Sequence, residues 1–247
     1  MAGPALVVPA VKKHTATVIM AHGLGDSGGG WVGLAENWRR RGKFEDVKFI
    51  FPNAPSIPIT VNMGASMPGW YDITTFDELQ TDAHDEAGIL RSRSVFNDLV
   101  AAEMSAGIPS DRIVLGGFSQ GGAMSLFTGL TSPHRLAGIF GLSCYLLLGN
   151  KVKSLAAENG NANRDSRWFM GHGDADPLVK YEWGVKTAEV LKKDLGVTDL
   201  EFKTYHGLPH AADPLEMDHV EAFIRKCLSP VSEGGAGAGA GSKKGEL

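Results

Sequence analysis

Apolar residues along this chain gather into short continuous runs, separated by longer stretches in which apolar positions recur every three or four residues. The runs Thr17-Val18-Ile19-Met20-Ala21, residues 48–51, Arg112-Ile113-Val114-Leu115, residues 136–142, Trp168-Phe169-Met170 and Glu201-Phe202-Lys203-Thr204-Tyr205 read as strands. Residues 85–105, 181–195 and 215–228 carry the helical period, and the small-residue run from Gly122 to Phe127 opens another helix. Strands alternating with helices predict an α/β fold, a mostly parallel central sheet with helices on both faces. No linker-like break divides residues 1–230, so one domain is expected there. Residues 231–247 are Gly/Ala-rich, can neither bury a core nor favour a helix, and are expected to form a disordered tail.

One junction in this pattern carries chemistry. Ser119 lies in Gly117-Phe118-Ser119-Gln120-Gly121, directly between a strand-like and a helix-like run. A serine on so sharp a turn has strained backbone geometry, and glycines two residues away on either side let strand and helix pass closely enough to expose its hydroxyl. That is the pattern of a nucleophile elbow. In a chain with 32 glycines the pentapeptide can also arise by chance, and a second match exists at Gly25-Asp26-Ser27-Gly28-Gly29. It copies a string of trypsin-like proteases, but a glycine-rich loop follows it and only His14 and His22 precede it, so Ser27 reads as loop structure.

A serine nucleophile needs a histidine to take its proton and a carboxylate to fix that histidine's tautomer. Downstream of Ser119 the strand ending in Gly171-His172-Gly173 runs into a loop with Asp174 and Asp176, and the strand ending at Tyr205 runs into His206-Gly207-Leu208-Pro209-His210. Both loops should leave the same sheet edge as the elbow. His172 and His206 end strands and His219 falls within a helical pattern, whereas His210 sits on an irregular loop free to point back at Ser119. The oxyanion needs backbone donors. One is the Gln120 amide at the helix start, and the second is expected from the glycine-rich turn His22-Gly23-Leu24-Gly25-Asp26.

With these pieces in order, the chain resembles the acyl-protein thioesterase and lysophospholipase family of α/β hydrolases over residues 6–228. The resemblance rests on His22-Gly23-Leu24-Gly25-Asp26, Phe51-Pro52-Asn53-Ala54-Pro55, Met67-Pro68-Gly69-Trp70-Tyr71-Asp72, Gly116-Gly117-Phe118-Ser119-Gln120-Gly121-Gly122, Leu142-Ser143-Cys144-Tyr145 and Gly171-His172-Gly173-Asp174-Ala175-Asp176-Pro177-Leu178-Val179. It implies Ser119 as nucleophile, Asp176 as acid, His210 as base and the Leu24 and Gln120 amides as oxyanion donors, with Asp174 stabilising its loop. It also implies a cofactor-free, metal-free enzyme, a monomer or weak dimer, that removes palmitoyl groups from S-acylated proteins and also acts on lysophospholipids and small esters. Lys180 stands where the family shows proline, implying a less rigid exit from the acid loop, and the first residues lack the cysteine by which some members are lipidated.

Composition narrows the setting. Apolar residues make up 43% of the 247, enough for one sizeable core. Two cysteines, Cys144 and Cys227, are too few for a disulfide framework and point to a reducing, intracellular compartment, and a cytoplasmic location, with the nucleus as a further one, is expected. The N-terminal run Ala5-Leu6-Val7-Val8-Pro9-Ala10 is too short for a signal peptide or membrane span. A net charge of −4 argues against nucleic-acid binding, and Arg39-Arg40-Arg41 reads as a solvated helix end. Residues 53–79 are too apolar for a solvated loop. Met63, Met67 and Trp70 from it, with Leu146 and Leu178, are expected to line an acyl channel where each methylene contributes on the order of 0.8 kcal/mol. Such a channel points to a hydrolase of long acyl chains, and the resemblance implies that these are thioesters on S-acylated proteins, reached through transient contact with membrane surfaces. The alternatives are a lysophospholipase, a short-chain carboxylesterase, or a catalytically silent scaffold that binds a lipid or partner.

Overall fold

The computed structural model describes residues 3–77 and 84–229. The expected tail at 231–247 and the last two residues of the 53–79 segment lie outside the described residues. The chain builds β1 (Leu6–Val8), β2 (Ala16–Ala21), α1 (Gly29–Arg40), β3 (Val47–Phe51), β4 (Ser56–Ile59), β5 (Ala65–Pro68), α2 (Glu86–Ser105), β6 (Ile113–Phe118), α3 (Gln120–Thr131), β7 (Gly138–Leu142), α4 (Val152–Glu158), β8 (Arg167–Gly173), α5 (Tyr181–Lys193), β9 (Asp199–Tyr205) and α6 (Pro214–Leu228). Seven strands form one sheet in the order β1-β3-β2-β6-β7-β8-β9. Only β1 runs antiparallel, against β3, and all other neighbours are parallel.

The continuous apolar runs follow from burial on both faces of this sheet. In β2, Ala16, Val18 and Met20 join Trp38 of α1 and Val220 and Ile224 of α6 in one core, while Ile19 and Ala21 point into the other with Phe96 of α2, Met124 of α3 and Leu191 of α5. α3 is buried at every position, which explains why its sequence has no polar face. Caps set the starts of two helices. The Asp85 carboxylate accepts the Gly88 amide at 2.9 Å, and that of Asp213 accepts the Leu215 amide at 2.8 Å ahead of Pro214.

The segment expected as a loop contains a hairpin. β4 and β5 pair antiparallel, with Pro58 opposite Ser66 and Ser56 opposite Pro68. A two-stranded ribbon leaves one side of each strand unpaired, so proline is tolerated where it would break a central strand. The parallel strands β2, β6, β8 and β9 deliver the loops that follow them to one sheet edge, and the functional side chains meet there.

Candidate active site

Ser119 closes β6 and opens α3 with φ 53° and ψ −121°, a strained conformation for a residue with a side chain. The crossing leaves no room for a side chain at Gly117, where a Cβ would lie 2.6 Å from the Ala21 carbonyl oxygen. A Cβ at Gly121 would strike the same carbonyl. The half-buried Ser119 hydroxyl lies 2.9 Å from His210 Nε2, and His210 Nδ1 lies 2.7 Å from Asp176 Oδ2. An Nδ1–H donated to a carboxylate leaves Nε2 as the acceptor for the serine proton. The Phe118 ring, 4.9 Å from the imidazole between centroids, packs beside it.

Asp176 is buried, and its second oxygen accepts the Leu178 and Val179 amides, both at 2.9 Å. Burial by itself would raise its pKa. The His210 hydrogen bond and charge, together with the two amides, outweigh that, and the carboxyl sits below its ordinary value. Behind it, His172 is fully buried and donates Nε2–H to the Val179 carbonyl at 2.8 Å, so it holds the acid loop from inside. Desolvation lowers its pKa and keeps it neutral. Asp174 faces outward and ties its loop to the next, accepting His206 Nδ1–H and the Gly207 amide at 2.7 Å each.

Leu24 and Gln120, whose amides are the expected oxyanion donors, both line the cavity that Ser119 borders. Gln120 is the first residue of α3, so its N–H has no acceptor within the helix. Leu24 lies on the turn after β2, which the Gly25 amide pins to the Pro68 carbonyl at 2.8 Å. Buried side chains hold the two loops together. His22 donates Nδ1–H to the Gly23 carbonyl at 2.7 Å and accepts the Ala54 amide on Nε2 at 3.0 Å. Trp70 donates its indole N–H to the His22 carbonyl at 2.9 Å, while its own amide donates to Gln120 Oε1 at 2.7 Å. Gln120 Nε2 in turn donates to the Tyr71 carbonyl at 2.7 Å.

The cavity holds about 350 Å³ and takes much of its apolar lining from Leu24, Met67, Ile73, Phe76, Tyr145 and Leu178. Met67 and Leu178 therefore stand where the sequence put them. Three other expected lining residues do not. Trp70 is 1% exposed and packs edge-on against Phe96 at 4.9 Å, as scaffold for the oxyanion loops and not as a channel wall. Met63 is 99% exposed at the hairpin turn, away from the cavity. Leu146 is buried, with its amide on Thr187 Oγ1 at 2.9 Å, and borders a separate crevice between α4 and α5. Ile73, Phe76 and Tyr145 take their places. Ser27 is exposed in the turn before α1.

A serine whose hydroxyl can pass its proton to a carboxylate-braced histidine, on a sheet of this topology, defines a serine hydrolase of the α/β-hydrolase class. Within that class the chain belongs to the phospholipase/carboxylesterase family, whose sequence profile matches residues 2–228. It is 56% identical over 236 residues to acyl-protein thioesterase 1 of Emericella nidulans, covering 93% of this chain and 97% of that protein. Acyl-protein thioesterase 1 of Neurospora crassa is 52% identical over 233 residues, covering 93% and 94%. Among solved structures, Zea mays acyl-protein thioesterase 2 superposes with a TM-score of 0.79 at 29% identity, covering 92% of this chain and 99% of that one.

Proposed function

We propose that this chain hydrolyses long-chain acyl thioesters on S-acylated proteins through a covalent acyl-enzyme. The observation that carries this reading is the continuous hydrogen-bonded line Ser119–His210–Asp176 opening into an apolar cavity of about 350 Å³. Ser119 Oγ attacks the thioester carbonyl carbon while His210 Nε2 takes its proton, and the carbonyl oxygen, now anionic, is held by the Leu24 and Gln120 amides. Collapse of the tetrahedral intermediate breaks the C–S bond, and His210 returns the proton to the departing thiolate. Water then attacks the acyl-serine with His210 again as base, releasing the fatty acid and restoring Ser119.

The names of the fungal relatives support the thioester over other acyl substrates. We propose that the enzyme reaches long-chain substrates through transient contact with a membrane surface, where they reside. Two buried, unpaired cysteines fit a cytoplasmic and nuclear location, and we propose that the enzyme acts there as a monomer or weak dimer. Incubation with a fluorophosphonate probe, a palmitoyl-cysteine peptide and lysophosphatidylcholine tests the reading. The unaltered protein should be labelled and should release palmitate from the peptide, and Ser119→Ala should lose both, with turnover falling on the order of a million-fold. Labelling without peptide hydrolysis, accompanied by cleavage of lysophosphatidylcholine, would make the protein a lysophospholipase instead.

A further inference from the structure

Glu216 occupies the first turn of α6 and is fully buried, and its carboxyl oxygens make no hydrogen bond of good geometry among the described residues, the backbone of Asp213 at the helix start being the donor that comes near. A buried carboxylate in that position would be very costly, and a neutral carboxyl much less so. Its location connects it to the triad. Oε1 packs against Gly171 of β8 so closely that a Cβ there would lie 2.5 Å from it, with Leu142 and Tyr205 completing the contact. Two residues further on, β8 ends at Gly173, and the Leu208 carbonyl of the His210 loop packs on that glycine with no room for a side chain. The same loop is tied to the acid loop by the Ala175 amide on the Leu208 carbonyl at 3.3 Å. His210 precedes Glu216 by six residues, with the Asp213 cap between them. The docking of Glu216 on β8 therefore sets how the histidine's loop sits against the strand that leads into the Asp176 loop.

We propose that Glu216, in its neutral form, is a positioning residue that holds His210 in register with Asp176, and that its ionisation releases the first turn of α6 and misaligns the triad. The proposal rests on the serine-hydrolase reading of the site. The titratable groups facing Glu216 are Cys144 after β7, Tyr205 of β9, which hydrogen-bonds His219 at 3.0 Å, and Asp213 at the start of α6. None of them supplies a cation. Burial, reinforced by the charge of Asp213 and only partly offset by the Asp213 backbone, accordingly raises the Glu216 carboxyl to about 8.

The test is the alkaline limb of the pH profile of kcat, measured on p-nitrophenyl octanoate to separate it from any question about the natural acyl donor. The unaltered enzyme should lose about tenfold in kcat across a limb centred near pH 8, and Glu216→Gln, isosteric and unable to ionise, should stay flat to pH 9.5. Glu216→Asp, one methylene shorter, should lower kcat at pH 7 by about tenfold with KM little changed. A limb that persists unaltered in Glu216→Gln would overturn the proposal, as would a wild-type profile with no limb. If Glu216→Gln fails to fold, the wild-type profile and Glu216→Asp still decide. Loss of fluorophosphonate labelling at every pH in the unaltered protein would instead overturn the serine-hydrolase reading itself.

Discussion

Two aspartates two positions apart in the loop after β8 differ in role because their oxygens face different partners. Asp176 turns inward to His210, Leu178 and Val179, and Asp174 turns outward to His206 and Gly207. Asp176→Asn should therefore lower kcat by about ten-thousand-fold, since an amide there favours the imidazole tautomer that cannot accept the serine proton. Asp174→Asn should cost far less, because the loop tie it loses is solvent-exposed. Steady-state kinetics on one short ester compares the two directly, and a dead Asp174→Asn with an active Asp176→Asn would exchange their roles. The residues alone could not separate these two carboxylates, since both follow a strand end within three residues; the resemblance to a family was needed. Ser119 was legible without it, because its glycines encode a crossing that only a strained strand-to-helix turn requires.

At the level of elements, the hairpin of β4 and β5 was not legible, because Pro58 and Pro68 read as strand breakers and the tolerance of a two-stranded ribbon for proline depends on what surrounds it. Trp70 was misread for a related reason. An aromatic residue near a cavity looks the same in sequence whether it forms the wall or braces it. Its hydrogen bonds to the two oxyanion loops predict that Trp70→Phe, which keeps the ring against Phe96 but loses the indole N–H, lowers kcat about 10- to 100-fold on acetyl and long-chain esters alike. Leu178 and Ile73 line the cavity directly. In the unaltered enzyme kcat/KM should rise with acyl length and level off once the cavity is full. Leu178→Asn should flatten that rise more than it lowers acetyl ester hydrolysis. A chain-length series on the three proteins separates wall from brace, and a flat profile in the unaltered enzyme would reject the acyl channel.

Across the whole molecule, the buried ionisable groups that organise the site also set how stability follows pH. Glu216 is raised to about 8, so the native state keeps a proton that the unfolded chain has released above its ordinary value near 4.5. Its contribution is complete below that value and is lost as pH rises toward 8. His22 and His172 are lowered by burial, so the unfolded chain takes up two protons below about 6.5 that the native state refuses, and stability falls as pH drops through that range. Asp176, held below its ordinary value, adds a further loss at still lower pH. Where burial keeps both histidines neutral in the native state, two histidine protons oppose one glutamate proton and the acid slope wins, whereas above about 6.5 the glutamate dominates. The melting temperature should therefore peak near pH 6.5 and fall on both sides. At about 1.4 kcal/mol per pKa unit and roughly 2–4 °C per kcal/mol for a chain of this size, the alkaline fall by pH 8.5 amounts to several degrees. Calorimetry from pH 5 to 9 checks this. A melting temperature that keeps rising from pH 6.5 to 8.5 would show that Glu216 is ionised in the native state, and one that keeps rising as pH falls from 6.5 to 5 would show that the two histidines take up protons there.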